Sequence, residues 1–147
     1  MIDNINRRIL KALQNNARIS YAELGKQVHL SAPAIAERIR KLEQEGVIRG
    51  YSVSVDMDKL GLPVVAIVQC KVFRAMERQF KELLLTIPDI IECYNTTGEQ
   101  AFVIKMATGS MARLDEILEL FGDMSDTNTM MILSTPVHRA MPDTFFD

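Results

Sequence analysis

One short segment of this chain carries the residues best placed to do chemistry. Ser31-Ala32-Pro33-Ala34 opens a stretch that continues through Glu37, Arg38, Arg40 and Lys41. Small residues let a backbone come close to a duplex, while Arg and Lys reach phosphates or guanine edges. That pattern predicts contact with double-stranded DNA. Enzymatic chemistry has far less to work with. The two histidines, His29 and His138, belong to no nucleophile–base constellation, and there is no phosphate-cradling glycine loop. Cys70 and Cys93 have neither CxxC nor Cys/His spacing, so no zinc site is expected. No catalytic residue, metal or tightly bound cofactor is predicted.

The elements that must position the cations are two short helices and a tight turn. Ser20 is placed to cap the first, with Glu23 three residues on in a capping box and Ile19 and Leu24 at staple spacing. Gly25 sits inside this helix at a cost of about 1 kcal/mol relative to Ala, which predicts close approach by a neighbouring helix. His29 falls in the turn. Ser31 caps the second helix and Pro33 lies in its first turn. Ile35, Ile39 and Leu42 form its buried stripe, so Pro33, Ala34, Glu37, Arg40 and Lys41 point away, with Arg38 on the flank. Gly46 stops it. Upstream, Ile5, Ile9, Ala12 and Leu13 mark a third helix, capped by Asp3.

Charge divides the chain. Its net charge is −2, yet residues 1–50 carry +4 and residues 51–147 carry −6. Only the front is expected to meet DNA. No apolar run reaches the roughly 18 residues of a membrane span, and no signal-peptide core opens the chain, so a cytoplasmic protein without a membrane partner is expected. Both cysteines sit in apolar, strand-like runs and are expected to be reduced core residues.

Behind the front domain (1–50), Tyr51, Val53 and Val55 alternate with polar residues and predict a short strand, followed by a linker to residue 63. A second domain is expected over 64–142, with a tail at 143–147. Its strands are predicted at 64–73, 90–97, 101–106 and 127–137. Its helices are marked by Met76, Phe80, Leu83, Leu84 and Ile87, and by Leu114, Ile117, Leu118 and Phe121. The order β-α-β-β-α-β predicts a ferredoxin-like α+β fold, an antiparallel sheet with both helices on one face. Val65, Ile67, Cys93, Val103 and Met130 supply apolar surface on one face or the other, which predicts self-association.

Residues 9–20, Leu30-Ser31 through Glu43, and Gly46-Val47-Ile48-Arg49-Gly50-Tyr51 together resemble the leucine-responsive regulatory protein/AsnC (feast/famine) family of transcription regulators. The resemblance implies an N-terminal winged-type helix-turn-helix. It also implies a C-terminal ligand-sensing domain, dimers that assemble further, often to octamers, and a response to amino acids. It implies an effector site between dimers at Thr97-Gly98-Glu99-Gln100-Ala101. The family pattern there is Gly-Asp-aromatic-Asp. This chain keeps Gly98 and an acid, and carries Gln100 and Ala101 in the last two places.

An amino acid needs an anionic partner for its ammonium, donors for its carboxylate and a matching side-chain pocket. Glu99 suits the ammonium, and backbone at Gly98 the carboxylate. Thr127 and Thr129 match a Thr-x-Thr stretch of similar proteins. Met111, Met130 and Met131 offer adaptable apolar surface, which favours leucine or methionine. Two other readings stand beside this one: an enzyme resembling sirohaem decarboxylases, and an amino-acid-binding assembly without specific DNA recognition.

Overall fold

The computed structural model describes residues 2–146. They form two compact units. One runs to Val53 and takes in the chain again from Pro136 onward, and the other is Ser54–Thr135.

The first unit is built on three helices: α1 (Asn4–Asn15), α2 (Tyr21–Val28) and α3 (Ala32–Gln44). Each is capped as its sequence predicts. Asp3, Ser20 and Ser31 accept from the N–H groups of Asn6, Glu23 and Ala34 at 2.7, 3.1 and 3.4 Å. Each bond satisfies a backbone donor that the first helical turn leaves without a partner. Only this half of the Ser20–Glu23 capping box forms among the described residues. Ile9, Leu24, Val28, Ile35 and Ile39 meet in one buried core, with Ile5, Ala12, Leu13 and Leu30 packed against it.

Gly25 is explained differently from expectation. A Cβ there would lie 2.4 Å from the carbonyl oxygen of Leu30 and 3.6 Å from the carbonyl carbon of Ser31, so the backbone of the turn, up to the cap of α3, excludes a side chain. Leu30 N–H donates to Gly25 O at 2.9 Å, and His29 takes the left-handed conformation this closure needs (φ 60°). The end of α3 is a Schellman closure: Val47 N–H reaches Leu42 O at 2.9 Å, Gly46 N–H reaches Glu43 O at 3.0 Å, and Gly46 has φ 71°.

The strand expected at Tyr51–Val55 does not form. That stretch belongs to no strand, and Val53 is 84% exposed. Alternation equips it for a sheet, but one chain supplies no partner strand to complete its hydrogen bonds.

The second unit has strands β1 (Val64–Val72), β2 (Ile90–Asn95), β3 (Phe102–Thr108) and β4 (Ser125–Met131), with helices α4 (Glu77–Leu84) and α5 (Met111–Phe121). The sheet order is β2-β3-β1-β4 and every pairing is antiparallel. This is the predicted ferredoxin-like arrangement. Ala66, Val68 and Cys70 of β1 share a face with Phe102, Ile104 and Met106 of β3, and Phe80, Leu114, Ile117 and Phe121 of the helices cover it. Phe80 is the pivot, 5.4 Å from the ring of Phe102 and 5.2 Å from that of Phe121.

Two expectations shift. β4 ends at Met131 rather than Val137; beyond it Ile132 N–H still bonds Val65 O at 2.9 Å, but β1 begins at Val64 and offers nothing further to pair with. Cys70 is buried as predicted, and burial pushes its thiol pKa up to about 12. Cys93 is exposed, because β2 is the sheet's edge and the helices do not reach over it.

Candidate nucleic-acid interface and effector region

Helix α3 presents its polar face as the 3.6-residue period requires. Ser31, Pro33, Glu37, Arg40 and Lys41 are exposed, and Ala32 and Ala34 are half-buried. Arg40 grips Glu37 through both guanidinium edges, Nη2 to Oε1 at 2.6 Å and Nε to Oε2 at 3.1 Å. Hydrogen bonds from Arg40 hold the Glu37 carboxyl below the usual range. Lys41 lies 3.8 Å from Glu45. Exposed pairs of this kind are screened by solvent and contribute little, so a phosphate can replace the carboxylate at little cost.

Arg38 is placed otherwise. Its Nη1 donates to Asp3 Oδ2 at 2.7 Å and to Asn6 Oδ1 at 2.9 Å. The Asn6 N–H first, and Arg38 second, hold the Asp3 carboxyl low. Arg38 thus ties α3 to the start of α1, a positioning role that competes with DNA contact. Ser20 and Ser31 likewise spend their hydroxyl oxygens on capping. Tyr51 donates to Glu43 Oε1 at 2.8 Å and braces the end of α3. Partial desolvation and the Glu43 contact push its hydroxyl pKa up to about 12.

The predicted effector residues are not gathered in the same way. Thr97–Gln100 form an exposed turn between β2 and β3, closed by Thr96 N–H to Ala101 O at 2.6 Å and Thr96 Oγ1 to Gln100 O at 3.2 Å. Gly98 has φ 106° with open space where a Cβ would stand. Thr127 pairs with Cys70 and Thr129 with Val68, on the helix side of the sheet. Met130 pairs with Ile67 and so projects from the opposite side. Met111 begins α5, beyond the far end of β3 from the turn. Strand rise alone puts roughly 20 Å between those ends. Within one chain the nine residues cannot line one pocket.

One neighbour of the turn was missed. Lys71 Nζ lies 3.5 Å from Glu99 Oε1, so the turn offers opposite charges side by side. Lys71 ends an apolar strand in the sequence, and nothing there signals its position beside a turn about 28 residues away.

Three helices closed by a capped turn, followed by a ferredoxin-like sheet, define a helix-turn-helix regulator that carries a sensing domain. Comparison with known proteins agrees. Residues 2–43 match the AsnC-type helix-turn-helix domain, and residues 65–142 match the Lrp/AsnC ligand binding domain. The HTH-type transcriptional regulator LrpC of Bacillus subtilis is 35% identical over 133 residues, covering 90% of this chain and 92% of that protein. The structure of E. coli AsnC superposes with a TM-score of 0.84 at 32% identity, covering 96% of this chain and 98% of the other. A feast or famine regulatory protein from M. tuberculosis, complexed with L-methionine, gives 0.88 at 25% identity, covering 97% and 99%.

The chain belongs to the Lrp/AsnC family of transcriptional regulators. It is a regulator with a ligand-binding domain, and not an enzyme. That sets aside the reading as a sirohaem-decarboxylase-like protein. Among the described residues no helix is long and apolar enough to cross a membrane.

Proposed function

We propose that this regulator binds double-stranded DNA sequence-specifically through the exposed face of α3, and that an amino acid tunes its occupancy. The observation that carries the reading is that face itself: Pro33 and Ala34 at the capped start, then Arg40 and Lys41, each held only by an exposed carboxylate. Arg40→Ala and Lys41→Ala are expected to weaken operator binding about tenfold each and to lower its salt slope by about one. Fluorescence anisotropy across a salt series measures both. Unchanged affinity and slope in both variants would refute the assignment.

The amino acid reading rests on the Lys71–Glu99 pair, which meets both ends of a zwitterion. The M. tuberculosis relative's complex with L-methionine supports a thioether or aliphatic side chain. Met111 and Met130 reach such a ligand only from a second copy, so the site belongs to an assembly. Val65, Ile67, Val103 and Met130 lie on the sheet side that the helices leave uncovered, and they suit a homodimer that assembles further, to an octamer. Native mass spectrometry with a panel of amino acids reads assembly and effector together. Leucine or methionine is expected to bind and shift the oligomer distribution, and Glu99→Gln is expected to abolish both effects.

A further inference from the structure

After the sheet, the chain returns to α1. Met141 N–H donates to Gln14 Oε1 at 2.7 Å, and Arg139 pairs with Asp143. A short 3-10 turn, Asp143–Phe145, then sets Phe145 and Phe146 edge to face with centroids 5.1 Å apart. The Arg7 guanidinium lies 5.5 Å from the Phe145 centroid, and Lys11 Nζ lies 5.5 Å from the Phe146 centroid.

Asn4, Arg7, Arg8 and Lys11 recur at i, i+3, i+4, i+7 and form one stripe of α1. With Phe146 they line a groove of about 340 Å³. Among the described residues no carboxylate lies within 4 Å of Arg7, Arg8 or Lys11. Among the described residues Arg8 donates only to the Gln27 carbonyl, and the buried Arg7 Nε has no hydrogen-bond partner. A buried donor left unmatched is costly, and the like-charged Arg7–Lys11 pair at i, i+4 adds a smaller penalty. An anion in the groove offsets the repulsion among these cations.

We propose that the groove between α1 and the C-terminal segment binds a phosphate group. Three cations converge there with an amide, and phosphate offers several acceptors in the geometry a guanidinium fork matches. A lone carboxylate would leave most of that charge uncompensated. The two phenylalanine rings sit against Arg7 and Lys11 and limit where the two cations can swing, which keeps them directed at the groove. The phosphate can be borne by a free phosphate ester or by the backbone of bound DNA. In the second case α1 joins α3 as a contact surface.

The test uses the full-length chain, with Arg7→Gln/Lys11→Gln as one variant, Phe146→Ala as another and Arg74→Gln as a control remote in sequence. Circular dichroism checks that each is folded. Isothermal titration calorimetry with pyrophosphate, and DNA anisotropy across a salt series, give the readouts. A saturable pyrophosphate site weakened at least tenfold in the double variant, with the DNA salt slope unchanged, supports a free phosphate ligand. A salt slope lowered by about two in the double variant, with pyrophosphate competing against DNA, supports a backbone phosphate. Phe146→Ala is expected to weaken whichever binding is seen, and Arg74→Gln to leave it unchanged. No pyrophosphate binding together with an unaltered salt slope overturns the proposal, as does equal loss in the Arg74→Gln control.

Discussion

The two units carry their candidate sites in opposite ways. On α3, residues within ten positions of one another are displayed on one face by the helical period alone. In the sheet unit, the nine candidate effector residues are divided between two faces and two ends of the sheet. A surface on one helix is complete within one chain. A surface drawn from several strands depends on register, on strand order and on what a second copy contributes. The first kind of site is therefore sensitive to the local turn that sets the helix, and the second to the packing that holds the strands in register.

Four perturbations sharpen or break this contrast. The largest effect is expected from Phe80→Ala, which removes the ring linking α4 to Phe102 and Phe121. It should lower the unfolding free energy by about 3–5 kcal/mol in denaturant titrations followed by circular dichroism. A loss below about 1 kcal/mol would mean that register does not depend on this core. Next comes Gly25→Ala. The added Cβ collides with backbone at Leu30, so about 1–3 kcal/mol of stability should go, with weaker DNA binding because the start of α3 is displaced. Full stability and affinity in that variant would break the claim that the turn sets the reading helix.

A smaller, pH-dependent effect is expected from Asp89, just before β2. Hydrogen bonds from Arg113 of α5, at 2.7 Å for the shorter, hold its carboxyl below the ordinary range. A carboxyl depressed in the folded state stabilises the fold above its unfolded value near about 3.9, and that contribution is lost as pH falls through the lower folded value. Arg113→Ala should therefore melt below the parent at neutral pH, and the two curves should converge in acid. A constant difference from pH 7 to pH 2 would sink the assignment. The smallest effect is expected from His29→Gly, which relieves a left-handed backbone at some cost in chain entropy. It should raise the unfolding free energy slightly, by under about 1 kcal/mol in denaturant titrations, and leave DNA affinity unchanged.

Much of this was legible in the residues. Ser20, Ser31, Pro33 and Gly46 mark both helices of the turn motif because capping and helix termination are decided within a few positions. The β-α-β-β-α-β order was legible from periodicity, since strands and helices repeat their apolar residues at different intervals. What escaped was long-range. Nothing local says that Arg38 turns back to Asp3, or that Lys71 meets Glu99. Nor does local sequence say that Met130 leaves the sheet opposite Thr129, or that Phe145 and Phe146 close on α1 some 130 positions away.

The sequence by itself determined the elements, their caps and the basic character of the front third. Those features follow from interactions spanning three to five residues, whose energetics change little with context. The tertiary structure alone decided which cations stay available and which are tied down. It also decided that the tail returns to α1, and that the effector residues do not meet within one chain. These outcomes depend on distances between segments remote in sequence, which are set only when the whole core has packed and each buried group has found its partner.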